Sequence, residues 1–358
     1  MERAEPLASG CPGASAAALA PRRTIPSAAG GDVRWYRATE DRDRDASARW
    51  CATVGAPVVH LRPSRTFPPW TPDEGLEVVV WNTFLGGGDI ERFLDRELGL
   101  ECEPGASGLR VGSRPFVLML QEAWRRSESL PLVDDSPEVP WMMGPSGDVP
   151  AEADIVRIAE RCGLALVYVP SARNGPDTGP RPREDKGNAI LSTLPLTDPV
   201  ALDLPLEAGR KVAVGATVAA PDGAWVRMVA VHLDVASTFV RTLLTGNQTR
   251  ARQTAGLIEG LEQAEADGPP VRGTVVGSDL NTWAANETAL RLMRRAFPQS
   301  PEWDQFGTRG TYPADHIHLR HDPGVPLRLT DYRRIENSYG SDHHGRRATL
   351  WQGNGVGR

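Results

Sequence analysis

The sequence predicts an α/β fold in which two packed β-sheets are flanked by helices. Short apolar runs, many of them β-branched, recur from residue 76 onward, and amphipathic helical stretches lie between them. The strands outnumber the helices, and several are joined by hairpin-like turns. Because parallel strands need long crossover connections, this pattern favours two packed sheets over a doubly wound parallel sheet.

The predicted strands are five to nine residues long, as in most globular proteins. Alternating apolar residues in 211–219, followed by the turn 221–223 and the run 225–231, predict a β-hairpin. The remaining runs predict buried strands at 76–81, 116–120, 164–169, 271–277 and 346–351.

Four helices are predicted between these strands. The first has Asp89 as its N-cap and ends at Gly99, a residue that readily adopts the left-handed conformation of a helix C-terminus. A second apolar stripe ends at Gly163, and a third ends before Gly268. The fourth helix is predicted to begin after Asn286.

Composition divides the chain into three parts. Residues 1–31 are rich in Ala, Pro, Gly and Ser, and we expect them to be a disordered tail. Residues 32–75 carry several tryptophans in a charged stretch, which predicts an extension packed on the domain surface. Residues 76–352 form the predicted catalytic domain.

Charge excludes some functions. The net charge of −6 argues against a protein that coats nucleic acid, because such binding rests on many phosphate contacts. Of the 40 basic residues, only Lys186 and Lys211 are lysines. We attribute this bias to GC-rich coding; a role in phosphate recognition is the alternative.

The chain has four widely spaced cysteines and no CxxC motif. This predicts neither a zinc cluster nor a disulfide scaffold, and a reducing, cytoplasmic location fits best. No apolar run approaches the roughly 20 residues of a membrane span, so we expect no stable membrane insertion. Nothing in the sequence indicates an obligate protein partner.

Polar residues occur where the predicted strands end, and strand ends that lie side by side share one mouth. Each has an ordinary structural alternative, such as a turn residue, an Asx turn or a core histidine. These residues are Asn82, Glu122, His232, Asp279, Asn281, Asp315, Asp342 and His343.

Taken in order, the segments around these residues resemble the endonuclease/exonuclease/phosphatase superfamily, which includes deoxyribonuclease I, exonuclease III, inositol polyphosphate 5-phosphatases and neutral sphingomyelinases. The resemblance implies a four-layer α/β sandwich with mostly antiparallel sheets. The matching segments are VVVWNTF (78–84), VLMLQEAW (117–124), GNAILSTLPL (187–196), VAVHLD (229–234), VVGSDLNTW (275–283), DHIHL (315–319) and SDHHG (341–345).

The resemblance also implies a metal site. Glu122 would bind Mg²⁺ or Mn²⁺, Asp342 would lie at or near the ion, and Asn82 would support the ion or the phosphate. This agrees with residue chemistry, since Mg²⁺ takes oxygen ligands and needs only one or two carboxylates plus a substrate phosphate.

The other matching residues would carry the reaction. By resemblance, His343 would deprotonate the attacking water and Asp315 would orient His343. Asp279 and Asn281 would hold the nucleophile and a phosphate oxygen, and His232 would assist the leaving group or the phosphate. Neutral imidazole is a suitable base near pH 7.

The segment 170–186 leads into Gly187 and Asn188 and carries several basic residues. Since these abut a site motif, we predict that Lys186 and Asn188 bind substrate; an ordinary exposed loop is the alternative. The segment contains no aromatic residue, which disfavours single-stranded nucleic acid, where bases stack on aromatic rings.

The sequence therefore predicts a divalent-metal-dependent phosphoesterase that uses in-line attack of water. Its substrate would be a nucleic acid, a phospholipid or a small molecule. A catalytically inactive binding protein on the same fold is the alternative. Phe84 stands where abasic-site endonucleases of the superfamily carry an acidic residue, which disfavours DNA repair.

Overall fold

A computed structural model gives the architecture. It describes residues 22–26, 32–37, 43–103, 108–133, 139–140, 153–175, 183–235, 247–299 and 307–353.

The described residues form two seven-stranded sheets. In spatial order, the first sheet consists of β1 (Arg22–Pro26), β2 (Asp32–Arg37), β8 (Thr197–Asp203), β9 (Val212–Ala219), β10 (Trp225–His232), β11 (Val271–Asp279) and β12 (Asp315–His321). The second consists of β13 (Leu327–Arg334), β14 (Arg346–Gln352), β4 (Leu76–Asn82), β5 (Phe116–Arg126), β7 (Glu184–Ser192), β6 (Ala165–Arg173) and β3 (Val58–His60).

Most strand pairs in both sheets are antiparallel. Among the described residues, the parallel pairs are β2–β8, β10–β11 and β4–β5. The predicted hairpin is confirmed, since β9 and β10 pair antiparallel.

Helices cover the outer faces of both sheets. Asp89 and Gly99 cap α2 and Gly163 ends α3, as predicted, whereas the N-cap of α5 is Glu287 rather than Asn286. The helices are α1 (Arg44–Ala52), α2 (Ile90–Leu98), α3 (Ile155–Cys162), α4 (Asn247–Ala266) and α5 (Thr288–Ala296).

The buried faces explain the layers. On β4, Val78 and Val80 face the core between the sheets, while Val79 and Trp81 face a second core shared with α2 and α3. Because both faces of this strand are buried, its segment Val78–Trp81 is a continuous apolar run rather than an alternating one. A third core lies between the first sheet and helices α4 and α5. The four-layer α/β sandwich is therefore confirmed.

Residues 32–75 are not a surface extension. They supply β2, which lies inside the first sheet, and β3, which forms an edge of the second. Trp35 is buried and donates a hydrogen bond to Asp203 at 3.2 Å. Trp35 and Trp70 therefore belong to the core between the sheets.

Part of the tail predicted to be disordered is also ordered, because β1 (Arg22–Pro26) pairs with β2 at the edge of the first sheet. The other residues of 1–31 lie outside the described part of the chain.

The cysteines depart from the prediction as well. Cys102 and Cys162 form a disulfide that joins the end of α3 to the loop after α2, and Cys51 is disulfide-bonded too. The spacing gave no signal for this bridge, because the fold brings together residues that are 60 positions apart. Within the described residues, no helix has the length and apolar character needed to cross a membrane.

Candidate active site

The first sheet places three predicted site residues side by side. The parallel pairing of β10 and β11 sets His232 opposite Asp279. The antiparallel pairing of β11 and β12 then sets Asp279 opposite Asp315. Three neighbouring strands therefore end or begin with a titratable side chain at the same end of the sheet, as the strand-end pattern predicted.

The second sheet contributes residues from its own strands at the same end of the sandwich. Asn82 ends β4 and pairs with Gln121 on β5. Its side-chain Nδ2 donates a hydrogen bond to Asp279 Oδ2 at 2.9 Å, so the contact joins the two sheets. Glu122 follows Gln121 at a bulge in β5 and has a φ of +53°. Non-glycine residues seldom adopt this left-handed conformation, which is concentrated at functional sites.

His343 and Asp315 form a buried pair. His343 Nδ1 lies 2.8 Å from Asp315 Oδ2, and Nε2 lies 3.8 Å from Asp279 Oδ2. Ser341 fixes the preceding loop, because its hydroxyl accepts from the His343 backbone N–H and donates to the Asn82 carbonyl oxygen at 2.6 Å. The pairing leaves the Nε2 edge of His343 facing the other site residues.

Charge around this pair shifts two pKa values. Burial alone would lower the pKa of His343, but the carboxylates of Asp315 and Asp279 outweigh it and raise that pKa to about 9. Burial, together with the nearby Asp315 carboxylate, raises the pKa of Asp279 to about 6. The imidazolium of His343 is therefore the favoured form at neutral pH.

His232 occupies the opposite side of Asp279. Its Nε2 lies 3.0 Å from Asn281 Nδ2 and 3.5 Å from Asp279 Oδ2, and its Nδ1 lies 3.8 Å from Glu122. Because the amide of Asn281 can only donate through Nδ2, Nε2 accepts and Nδ1 carries the proton. Burial, followed by the charges of Lys211 and Lys186, holds the pKa of His232 well below its usual range.

Asn281 contacts both Asp279 and His232. Its backbone N–H donates to Asp279 Oδ1 at 2.9 Å, and its side chain also donates to the carbonyl oxygen of Leu233. The Asx-turn alternative is thus present in the structure, and the same turn presents the amide to His232.

Solved structures share this architecture. The human Nocturnin catalytic domain with bound sulfate anion matches with a TM-score of 0.51 at 13% identity, covering 78% of this chain and 95% of that one. The chain has the endonuclease/exonuclease/phosphatase fold. No family profile and no curated protein matches the sequence.

Two further structures with the endonuclease/exonuclease/phosphatase fold are more distant in shape. An endonuclease/exonuclease/phosphatase from Beutenbergia cavernae DSM 12333 matches at 18% identity with a TM-score of 0.47, covering 79% of this chain and 73% of that one. Sphingomyelinase C from Streptomyces griseocarneus matches at 16% identity with a TM-score of 0.41, covering 78% of this chain and 99% of that one.

The donors at this end of the endonuclease/exonuclease/phosphatase fold suit a hard divalent cation. Among the described residues, the Glu122 carboxylate accepts no hydrogen bond, and its side chain is 18% exposed. Asp315 Oδ1 is buried and has no hydrogen-bond partner there either. Carboxylate oxygens are the ligands that Mg²⁺ and Mn²⁺ prefer. Glu122 therefore has a free carboxylate that suits such an ion, whereas Asp315 is already bonded to His343 through its other oxygen.

Asp342 lies at the edge of the site rather than at its centre. Its Oδ2 pairs with Arg309 at 3.0 Å, and its Oδ1 lies 3.9 Å from His343 Nε2. The ligand atoms that cluster within 4.8 Å belong instead to Asp279, Asp315 and His343. Since His343 and Asp315 already bond to each other, this cluster is a hydrogen-bonded His–Asp pair beside a second acid.

Lys186 and Asn188 line a narrow pocket next to His232 and Glu122. The Asn188 side chain donates to the carbonyl oxygen of Val212, which joins β7 to β9. Residues 176–182 of the preceding loop lie outside the described chain. Sequence reasoning missed Arg309, the partner of Asp342, and Lys211, which lines the same pocket. The scarcity of lysine was the available signal for Lys211.

Proposed function

We propose that this protein is a divalent-metal-dependent phosphoesterase in which a His–Asp pair activates water for in-line attack. The observation that carries the proposal is the His343–Asp315 contact of 2.8 Å, with the free Nε2 edge turned toward Asp279. A carboxylate at Nδ1 stabilises the tautomer and the ring orientation that a general base at Nε2 requires.

Each side chain then has a defined task. His343 takes a proton from water at Nε2, and Asp315 stabilises the imidazolium that forms. Asp279 and Asn281 orient the water and one phosphate oxygen, because their polar atoms meet where the two sheets join. His232, whose proton lies on Nδ1, assists the departing oxygen by donating a hydrogen bond to it.

Glu122 and Asp342 are the residues we propose to hold the cation, with Asn82 supporting them. A bound divalent ion would supply Lewis-acid stabilisation of the negative charge that develops on the phosphoryl oxygens. The exposed edge of the Glu122 carboxylate supports this assignment, and the Arg309 contact of Asp342 indicates a weaker contribution from that residue.

A substrate panel tests the proposal. Plasmid DNA, RNA, bis-p-nitrophenyl phosphate, sphingomyelin and inositol phosphates are incubated with the protein in Mg²⁺, in Mn²⁺ and in EDTA. We expect metal-dependent hydrolysis of at least one substrate, with turnover strongly reduced in His343→Ala and in Asp315→Asn. No hydrolysis of any ester by folded wild-type protein would favour the inactive binding protein instead.

A further inference from the structure

The pocket beside His232 contains both lysines of the chain. Lys186 is 6% exposed and Lys211 is 8% exposed, and both side chains line this pocket together with Glu122 and His232. Lys186 belongs to β7 in the second sheet, whereas Lys211 directly precedes β9 in the first. GC-rich coding explains why arginine replaces lysine elsewhere, but it does not explain why the two lysines meet at one place.

The lysines are poorly neutralised. Among the described residues, Lys186 has no carboxylate oxygen within ion-pair distance, and the nearest acid of Lys211 is Asp234 at 3.9 Å. Asp234 is itself shared, since its Oδ2 accepts from the Ala208 backbone N–H and from Gln253. A buried ammonium group without a close anion is costly, so this arrangement suits a ligand that brings negative charge.

Neighbouring charges leave the pocket positive. Arg210 also lines it, but its guanidinium is bound to Asp203 at 2.8 Å and to two backbone carbonyl oxygens. Glu122 is the acidic residue among the described lining residues, and in the proposed function its charge is directed to the cation. The two ammonium groups then remain to meet an anion.

The position of the pocket defines which part of a substrate it would meet. Both His232 and Glu122 line it, and His232 Nδ1 faces Glu122 at 3.8 Å, while His343, Asp279 and Asp315 are not among its lining residues. In the proposed function the reacting phosphate lies near Asp279, which stands 3.5 Å from His232 Nε2 and 3.8 Å from His343 Nε2. A group in the pocket therefore lies beyond His232, on the side assigned to the leaving group.

We propose that Lys186 and Lys211 form a subsite for a second phosphate group, carried on the leaving-group side of the scissile ester. This inference rests on the proposed function and narrows its substrate to phosphate esters that bear an additional phosphate. Lysine suits a narrow pocket because its ammonium is a compact point charge with three donors, whereas the planar guanidinium of arginine needs more room.

Phosphate binding without turnover is the first test. Inorganic phosphate is titrated into the full-length protein in EDTA and followed by phosphorus NMR, so that no divalent cation contributes. We expect Lys211→Met and Lys186→Met to weaken binding roughly 10-fold or more, the usual effect of losing a charge-assisted hydrogen bond. The matched control is Arg272→Met, which removes an exposed positive charge near the opposite end of β11 and should bind like wild type.

Turnover is the second test. The dinucleotides TpT, pTpT and TpTp share one scissile diester and differ in a terminal phosphate. We expect one phosphorylated form to be hydrolysed faster than TpT by wild type, and Lys211→Met to lose this preference by roughly 10-fold. Lys211→Gln, with circular dichroism as a folding control, replaces Lys211→Met if that variant does not fold.

The outcomes separate the two proposals. Hydrolysis of a phosphate ester with equal phosphate affinity in wild type, Lys211→Met and Arg272→Met would overturn the subsite and leave the proposed function intact. Lysine-dependent phosphate binding without hydrolysis of any ester would overturn the proposed function and support the anion site. No phosphate binding by wild-type protein would overturn the subsite.

Discussion

The two site histidines share one neighbour but have opposite electrostatic environments. Nε2 of His232 lies 3.5 Å from Asp279 Oδ2, and Nε2 of His343 lies 3.8 Å from the same atom. Yet the pKa of His232 is held well below its usual range, while that of His343 is raised to about 9.

The partner of Nδ1 explains the difference. His343 Nδ1 meets the buried Asp315 carboxylate at 2.8 Å, whereas His232 Nδ1 is 3.8 Å from Glu122 and stands near two lysines. Burial penalises the charged form of both rings, and only His343 has enough nearby negative charge to overcome that penalty. Both imidazoles lie near Asp279, so the residue that faces Nδ1 sets the protonation state of each ring.

Among the site variants, His343→Ala should reduce turnover most. We expect His343→Ala to lose roughly 10²–10⁴-fold in kcat, the usual effect of losing a general base. The measurement is steady-state turnover at saturating Mg²⁺, with the Tm checked by circular dichroism. A wild-type rate in this variant would remove His343 from the mechanism.

Substituting the proposed cation ligand Glu122 should also reduce turnover. Glu122→Gln keeps the size of the side chain and removes its charge, so turnover at limiting Mg²⁺ should fall by roughly 10-fold or more. Since Glu122 lies at a bulge of β5 and is partly exposed, the Tm should change little. Unaltered dependence of turnover on Mg²⁺ would contradict its assignment as a ligand.

The role of His232 is tested by varying the leaving group. His232→Ala should cost roughly 10²-fold with an alkoxide leaving group and little with p-nitrophenolate, which departs without a proton. A core histidine would behave differently, because its loss would lower the Tm and reduce both rates equally. Equal losses on the two substrates would leave His343 as the catalytic imidazole.

The pH dependence of turnover tests the raised pKa of His343. A base must be neutral, so turnover should rise with pH toward about 9. Asp315→Asn should move this rise to a pH lower by roughly 1–3 units. Rate–pH profiles of both proteins decide this. An unchanged rise would show that Asp315 does not control the pKa of His343.

The smallest effect should appear in stability. Since the folded pKa of His343 exceeds its ordinary value of 6.5, its ionisation stabilises the native state fully below about pH 6.5, and this contribution is lost as the pH rises through about 9. The free energy of unfolding of wild type, relative to His343→Ala, should therefore decrease between these pH values. A difference independent of pH would contradict the raised pKa.

The sequence predicted the layers and most of the site because both depend on local patterns. Continuous apolar runs indicated the buried strands, and polar residues at the strand ends indicated the candidate active site. The position of β2 inside a sheet, the Cys102–Cys162 bridge and the arrival of Lys211 beside Lys186 depend on contacts between distant segments. No periodicity in a single sequence encodes such contacts.

The Asn82–Asp279 hydrogen bond links a strand end of one sheet to a strand end of the other. Neither half of the sandwich holds a complete set of reacting groups, since His232, Asp279 and Asp315 belong to one sheet and Asn82 and Glu122 to the other. In the proposed function, activity therefore depends on the contact between the two sheets. It should vanish as soon as the sheets part, even while each keeps its own backbone hydrogen bonds.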